Sequence, residues 1–318
     1  MISCRSFLNT DPPLLVKVWN RQPRQRGIAQ GVTTKIMEDL VFSRPWFDPA
    51  GLVLGFRDQR LAGFVHAGFS AKADGSDLNL KHGVISQLRI VPEEGQNEVA
   101  AALIESAIAY LAKKNVVECS AASQFPWAPF YLGIYGGSRV PGVMSDDVSM
   151  MNPLLTAGFE ALAEVGVFLK PLNDYRPRID RQLMNLKRQF DFTVELDPPA
   201  FHWWEACTLG ESYRVRYSLV DRSNHESVAS VTYWDMQPLA GSWGARAMGM
   251  YDLRVADRFR RTGMATCVIN ESLKQLAQDG IGMVEAQTPL ADERACGCFT
   301  KLGFGQVDTA IQLRKSIP

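Results

Sequence analysis

Residues 253–265 read LRVADRFRRTGMA, and residues 88–100 read LRIVPEEGQNEVA. The two stretches align without a gap at an offset of 165, and both run into an apolar helix signal, Leu103-Ile104 in one and Val268-Ile269 in the other. Each half then closes on Gly-Phe (Gly158-Phe159 and Gly303-Phe304), followed by an alternating apolar strand, here at an offset of 145. The first half therefore carries 20 additional residues. The glycines and prolines of residues 129–143, PFYLGIYGGSRVPGV, place that excess in a loop. An internal repeat of this kind decides the fold, and it reads as two copies of one α/β unit.

The second copy has the clearer pattern. Residues 213–220 and 227–234 are rich in β-branched and aromatic side chains around a polar turn, and 248–255 reads as a third strand. A helix is expected over 263–278, with Val268, Ile269, Leu273 and Leu276 on one face and Gly280 as its stop. A short strand (283–287), a helix (292–302) and a strand with Val307, Thr309, Ile311 and Leu313 facing inward complete it. The first copy offers helices at 13–20 and 34–42, a hairpin at 52–56 and 61–69, a strand at 84–91 and a helix at 98–112. Mostly antiparallel strands with packed helices make this α/β in the α+β sense, not a doubly wound sheet. The expected domains are 1–172 and 173–318, with 173–197 as a charged connector.

Composition narrows the function. The chain has 318 residues, 46% hydrophobic and 21% charged, which suits two soluble globular domains. Lys plus Arg (34) equals Asp plus Glu (34), and the balance holds in each half, so neither has the basic excess of a general nucleic-acid binder. No apolar run reaches the roughly 20 residues of a membrane span, and the first residues lack a signal-peptide pattern. A cytoplasmic protein with no membrane partner is the expectation. Six scattered cysteines do not make a disulfide framework, and Cys296-Gly-Cys298 lacks the second pair or nearby histidines of a zinc site. No metal is expected.

The turn from Arg258 to Ala265 carries chemistry. A helix start presents unpaired N–H groups and the positive end of a dipole, Gly263 lets the backbone approach a phosphate, and Arg258, Arg260 and Arg261 add charge. Those features fit a diphosphate cradle and also a solvated basic turn. The wider pattern separates them. Arg260-x-x-Gly263-x-Ala265 after a strand resembles the acyl-CoA pyrophosphate motif of the GNAT-family N-acetyltransferases, Arg/Gln-x-x-Gly-x-Gly/Ala. Asp292-x-x-Ala295-x-x-x-Phe299-x-Lys301-x-Gly303-Phe304 resembles that family's closing motif, Asn-x-x-Ala-x-x-x-Tyr-x-Lys-x-Gly-Phe.

The resemblance implies tandem GNAT-like domains, each a mostly antiparallel mixed sheet flanked by helices. It implies acetyl-CoA, or another acyl-CoA, as co-substrate. The backbone of Leu253 and Val255 would pair with the pantetheine arm, and the amides of Arg261, Thr262, Gly263, Met264 and Ala265 would hold the pyrophosphate beside Arg260. Asp292 and Phe299 take the positions of the family's asparagine and tyrosine. Phe299 has no proton to give a departing thiolate, but a thiol of pKa roughly 8.5 leaves tolerably unaided.

Asp252, directly before Leu253, is the expected base, with Asp235 and Glu285 in reserve; the bland alternative is a solvated strand-end carboxylate. Tyr233 and Tyr251 are the residues that could replace the missing acid, with packing as the favoured reading of each. In the first copy the aligned positions are Glu93 for Arg258, Gly95 for Arg260, Gln96 for Arg261 and Glu98 for Gly263, and together with Glu94 these acids would repel a diphosphate. The expected activity is acetyl transfer to a primary amine of a small molecule or peptide. The alternative is a non-catalytic acyl-CoA-binding module, and a homo-oligomer is compatible with either. Phe130, Tyr131 and Tyr135 are costly to expose, so the 129–143 loop is expected either to wall the acceptor side of the second copy or to fill a groove in its own.

Overall fold

Alternating apolar positions give strands, and amphipathic stripes give the helices that cover them. The structure is a computed structural model and describes residues 1–93, 95–178 and 181–317. The first copy contributes β1 (Ile2–Ser6), α1 (Pro12–Asn20), α2 (Thr34–Met37), β2 (Leu52–Arg57), β3 (Arg60–Ala71), β4 (Leu78–Ile90), α3 (Gln96–Lys113), β5 (Glu118–Ala121), β6 (Val143–Met144), α4 (Val148–Thr156) and β7 (Glu160–Pro171). The second contributes α5 (Arg181–Gln189), β8 (Phe190–Leu196), α6 (Trp203–Leu209), β9 (Arg214–Asp221), β10 (Ser227–Asp235) and α7 (Gln237–Trp243). It continues with β11 (Ala247–Val255), α8 (Met264–Gln278), β12 (Met283–Pro289), α9 (Glu293–Lys301) and β13 (Gly305–Ser316). Part of the expected connector is itself folded, since β8 pairs with β9 along its whole length. Among the described residues no helix is long and apolar enough to cross a membrane.

All main strands join one sheet in the order β1-β2-β3-β4-β5-β13-β7-β12-β11-β10-β9-β8. Only β4–β5 and β11–β12 are parallel, each bridged by its crossover helix, α3 or α8. The order shows a reciprocal exchange. β7 closes the first copy in sequence, as β13 closes the second. Yet β7 pairs with β12 from Met283↔Pro171 to Pro289↔Val165, and β13 pairs with β5 at Arg314↔Ser120. The two closing strands also pair with each other. Each copy therefore satisfies the open edge of the other, edges that would otherwise present unpaired backbone groups.

Two expectations change. The gapless alignment breaks after the strand: α3 is capped by Gly95 (φ 72°) and α8 by Gly263 (φ 92°), both left-handed. Gly95, not Glu98, is the counterpart of Gly263, because a 3-10 turn at Asp257–Phe259 lengthens the second loop by three residues. Glu98 sits in the first turn of α3, and Glu94 lies outside the described residues. In β13, register shifts at Gln306/Asp308 and Gln312/Leu313 break the alternation, so Val307 is exposed while Ala310 and Leu313 face the core.

The cores also cross the copies. Trp204 of α6 stacks on Trp46 of the first copy, with ring centroids 4.2 Å apart. Trp234, Met236 and Leu239 likewise pack into the first copy's core. The stripe Val268, Ile269, Leu273 and Leu276 of α8 is buried in the second.

Candidate active site

Strands β11 and β12 pair only from Ala247↔Met283 to Gly249↔Glu285 and then diverge. A bulge at Tyr251 interrupts the pairing of β11 with β10. Both devices expose the far end of β11, and a bulge re-aims side chains next to it. One cavity lies on each side of that end.

The first is an open cleft of about 650 Å³ at the start of α8, lined among others by Val255, Arg260, Arg261, Met264, Thr266 and Cys298. The first backbone bond of the helix runs from the Cys267 N–H to the Gly263 carbonyl (2.9 Å). Among the described residues the N–H groups of Gly263, Met264 and Ala265 have no backbone acceptor. Arg261 adopts a left-handed conformation (φ 64°), which with Gly263 shapes the turn as a backbone concavity suited to an anion. Arg258 pairs with Glu226, and Arg260 with Asp257 (2.9 Å). Thr262 donates its hydroxyl to the Phe259 carbonyl (2.6 Å), and its own carbonyl accepts from Gln182 (2.8 Å). That glutamine lies so close to Gly263 that an added Cβ would come within 2.8 Å of its Nε2.

Leu253 and Val255 lie on the diverged part of β11, Leu253 well exposed and Val255 at the cleft. Asp292 and Phe299 are placed elsewhere. Asp292 caps α9 by accepting the Ala295 N–H (3.1 Å), a contact worth about 1 kcal/mol. Phe299 is buried between Phe168 of β7 and Phe304, both at 5.4 Å. Neither lines the cleft. An apolar ring fits that position because the exchanged strand packs there.

The second cavity is smaller, about 110 Å³, and lies on the other side of β11. Tyr251, Asp252 and Arg254 reach it from the strand, Glu205 and Phe201 from α6 and the segment before it, and Ser138 and Arg139 from the first copy's loop. Asp252 Oδ1 accepts from Arg254 Nε (2.9 Å), whereas its Oδ2 is buried without a partner. The Tyr251 hydroxyl donates to Glu205 (2.6 Å), and burial beside that carboxylate raises its pKa. Tyr251 is thus a cavity wall, while Tyr233 is packing: it is buried against Ser272, with its hydroxyl 2.7 Å from the serine Oγ.

The loop packs into its own copy and also reaches the second. Phe130, Tyr131 and Tyr135 turn into the first copy's core, while Ser138 and Arg139 reach the second copy. The Ser138 N–H donates to Glu285 (2.7 Å) and its carbonyl accepts from Trp234 (3.1 Å). Arg139 donates to the Tyr251 carbonyl, and its own carbonyl accepts from Gln287 (3.2 Å), so this residue bridges β11 and β12 just where they diverge. Glu285 is fully buried against Arg26 (3.0 Å), and burial raises its carboxyl pKa. It fastens the loop and does not line either cavity, which removes it as a reserve base. The roles of Arg139 and Ser138 were not legible in the sequence because their contacts with the second copy lie 96 to 148 residues away; the local signal was the loop's composition.

Residues 181–304 match the family model described as acetyltransferase (GNAT) family. The match covers most of the second copy. No curated protein matches the chain. Among solved structures, a tandem GNAT protein from the clavulanic acid biosynthesis pathway is similar over 100% of this chain and 99% of its own, with a TM-score of 0.66 at 10% identity. A GCN5-related N-acetyltransferase from Sphaerobacter thermophilus gives 0.63 at 11% identity, over 99% and 96%. A GCN5-related glucosamine N-acetyltransferase region of a fungal multi-domain β-N-acetylglucosaminidase gives 0.64 at 15% identity, but this chain spans only 38% of that protein. At these identities the likeness is one of fold, and the fold of the whole chain is the tandem GNAT arrangement. That fold supports acyl-CoA-dependent acetyl transfer in general.

Proposed function

We propose that the second copy transfers an acetyl group from acetyl-CoA to the amine of a small molecule or short peptide, with Asp252 as general base. One observation carries this reading. The helix start with its unpaired amides and a small cavity flank the same diverged strand, and Asp252 lines that cavity and has an unpartnered buried oxygen. The unpaired amides of Gly263, Met264 and Ala265, with Arg261, suit the diphosphate of CoA. The open edge of β11 at Leu253 and Val255 suits the pantetheine amides. A neutral amine in the small cavity attacks the thioester carbonyl carbon, a C–N bond forms, and the C–S bond breaks with its electron pair leaving on sulfur. The proton lost by the nitrogen passes to Asp252 Oδ2, and the thiolate takes a proton from solvent.

Phe299 offers no proton, which favours one second reading, a module that holds acyl-CoA without turnover. Calorimetry with acetyl-CoA followed by thiol-release assays over an amine panel separates the two. The transferase reading predicts binding with amine-dependent release. Binding with release on no amine selects the module, and absence of binding defeats both.

A further inference from the structure

Around the small cavity one carboxylate oxygen and one guanidinium lack a directly bound partner of opposite charge. Glu205 is saturated: one oxygen accepts from the Tyr251 hydroxyl (2.6 Å) and Arg214 (3.4 Å), the other from the Phe201 N–H (2.9 Å). Arg254 is committed to Asp252 Oδ1 and lies over the Phe201 ring, 3.6 Å from its centroid. What remains is Asp252 Oδ2, buried without a partner, and the guanidinium of Arg139. Among the described residues no carboxylate forms an ion pair with Arg139; it donates to the carbonyls of Pro126 (3.4 Å) and Tyr251. Beside it, Ser138 is 1% exposed and its Oγ is also buried without a partner. All three residues line the same cavity.

Building on the transferase reading, we infer that the acceptor is a small amino-carboxylate whose amine meets Asp252 and whose carboxylate is bound by Arg139 and Ser138. A guanidinium fork fits a carboxylate in a bidentate way, and a hydroxyl beside it supplies a further donor. Asp252 and Glu205 favour the Arg139 charge through space without contacting it, so a simple amine would leave the guanidinium with no directly bound anion, and a polycation would be repelled by it. A cavity of about 110 Å³ admits a compact group and excludes a folded partner. Aromatic walls from Trp127 and Trp204 accommodate an apolar side chain on the acceptor. The carboxylate-binding residues come from the first copy, so one copy sets the specificity of the other.

Calorimetry on the full chain saturated with CoA tests this with matched probes: alanine against ethylamine, and phenylalanine against phenethylamine and phenylalaninamide. The expected result is binding of at least one amino acid at least 10-fold tighter than its carboxylate-free partners. Arg139→Gln should reduce that preference to within twofold while CoA affinity, measured at the helix start that Arg139 does not line, stays unchanged and reports an intact fold. If Arg139→Gln loses CoA binding, Ser138→Ala decides, with a severalfold loss expected for the amino acids alone. Equal affinity within each pair, a preference that survives both substitutions, or no binding by either amino acid overturns the inference. The readout is binding, so it separates from the transferase reading. Carboxylate-selective binding without thiol release would refute transfer alone, and release on simple amines without carboxylate selectivity would refute this inference alone.

Discussion

The starts of α3 and α8 are built on the same plan and serve opposite ends. Both helices follow a diverging parallel strand and both are capped by a left-handed glycine. At α8 the amides face an open cleft. At α3 the same place is filled from within: Arg57 donates to the Gly95 carbonyl and pairs with Glu98 (3.3 Å), and a Cβ at Gly95 would collide with its guanidinium. The space beside β4 is filled as well. Arg89, fully buried, pairs with Asp147 (2.8 Å) and lies between the rings of Trp19 and Tyr135, 5.2 and 5.0 Å from their centroids. In the first copy core side chains thus occupy the place that stands open in the second, on the same fold. A binding site on this scaffold is an unfilled space, and side chains from a few positions close it.

The most severe way to break the comparison is to separate the copies. A fragment covering 173–318 lacks β7, which leaves β12 without its antiparallel neighbour and β13 without its longest pairing. It also strips Trp204, Trp234 and Leu239 of the core they share with the first copy. The fragment should show no cooperative melting transition by circular dichroism, and coexpression with residues 1–172 should restore one. A stable isolated fragment that binds CoA would show that the exchanged strands are dispensable.

Next in size is the exchange of one helix start for the other. Gly263→Glu places a carboxylate and a strained φ where the diphosphate belongs, and CoA affinity should fall by about 10³-fold on the general strength of charge-assisted contacts. Arg261→Gln should cost about 10-fold, since Arg260 and Arg258 are already paired with acids. Glu98→Gln in the first copy should leave CoA affinity unchanged. Calorimetry reads all three, and CoA affinity that follows Glu98 would reverse the roles of the copies.

Much of this was legible in the chain. The repeat, the helix starts and most strands follow from alternation, amphipathic stripes and Gly-Phe closures, because those are local patterns. The three-residue slip between Gly95 and Gly263 was not legible, because a gapless match rewards identical letters while a 3-10 turn inserts residues without disturbing the helix behind it. The exchange of β7 and β13 was invisible for another reason: a closing strand looks the same whichever neighbour it joins. The same holds for Asp292 and Phe299, whose motif positions match the family pattern while their side chains serve a cap and a core.

Asp252→Asn sharpens the comparison at the chemistry itself. The amide keeps the size of the side chain and its contact with Arg254 but cannot take a proton. On the transferase reading kcat should fall by about 10², the lower range for loss of a general base, with CoA affinity unchanged. Gln87, the first copy's counterpart on β4, is already an amide and fully buried, so no acid–base role is left there to lose. Steady-state thiol release with saturating acetyl-CoA measures the effect, and a kcat within threefold of the parent would remove Asp252 as the base.

The smallest effect concerns what fills the first copy. His66 is wholly buried on β3, 3.0 Å from the Tyr131 hydroxyl and packed on Phe130. Burial lowers its pKa from 6.5 to about 3. The folded state therefore holds the ring neutral across the range in which the unfolded chain protonates it, so the unfolded state binds more protons below pH 6.5. Stability should consequently rise with pH between about 3 and 6.5, and acidification from pH 7 to 5 should cost about 2 kcal/mol from this residue. His66→Gln keeps a hydrogen-bonding partner for Tyr131 but has nothing to titrate. Its stability at pH 7 can differ from the parent's, so the informative quantity is the slope. Urea unfolding at pH 7, 6 and 5 should give a shallower decline for the variant than for the parent, by about 2 kcal/mol over that interval. Parallel declines would mean that the ring reaches solvent in the folded chain and that the first copy's core is looser than its packing indicates.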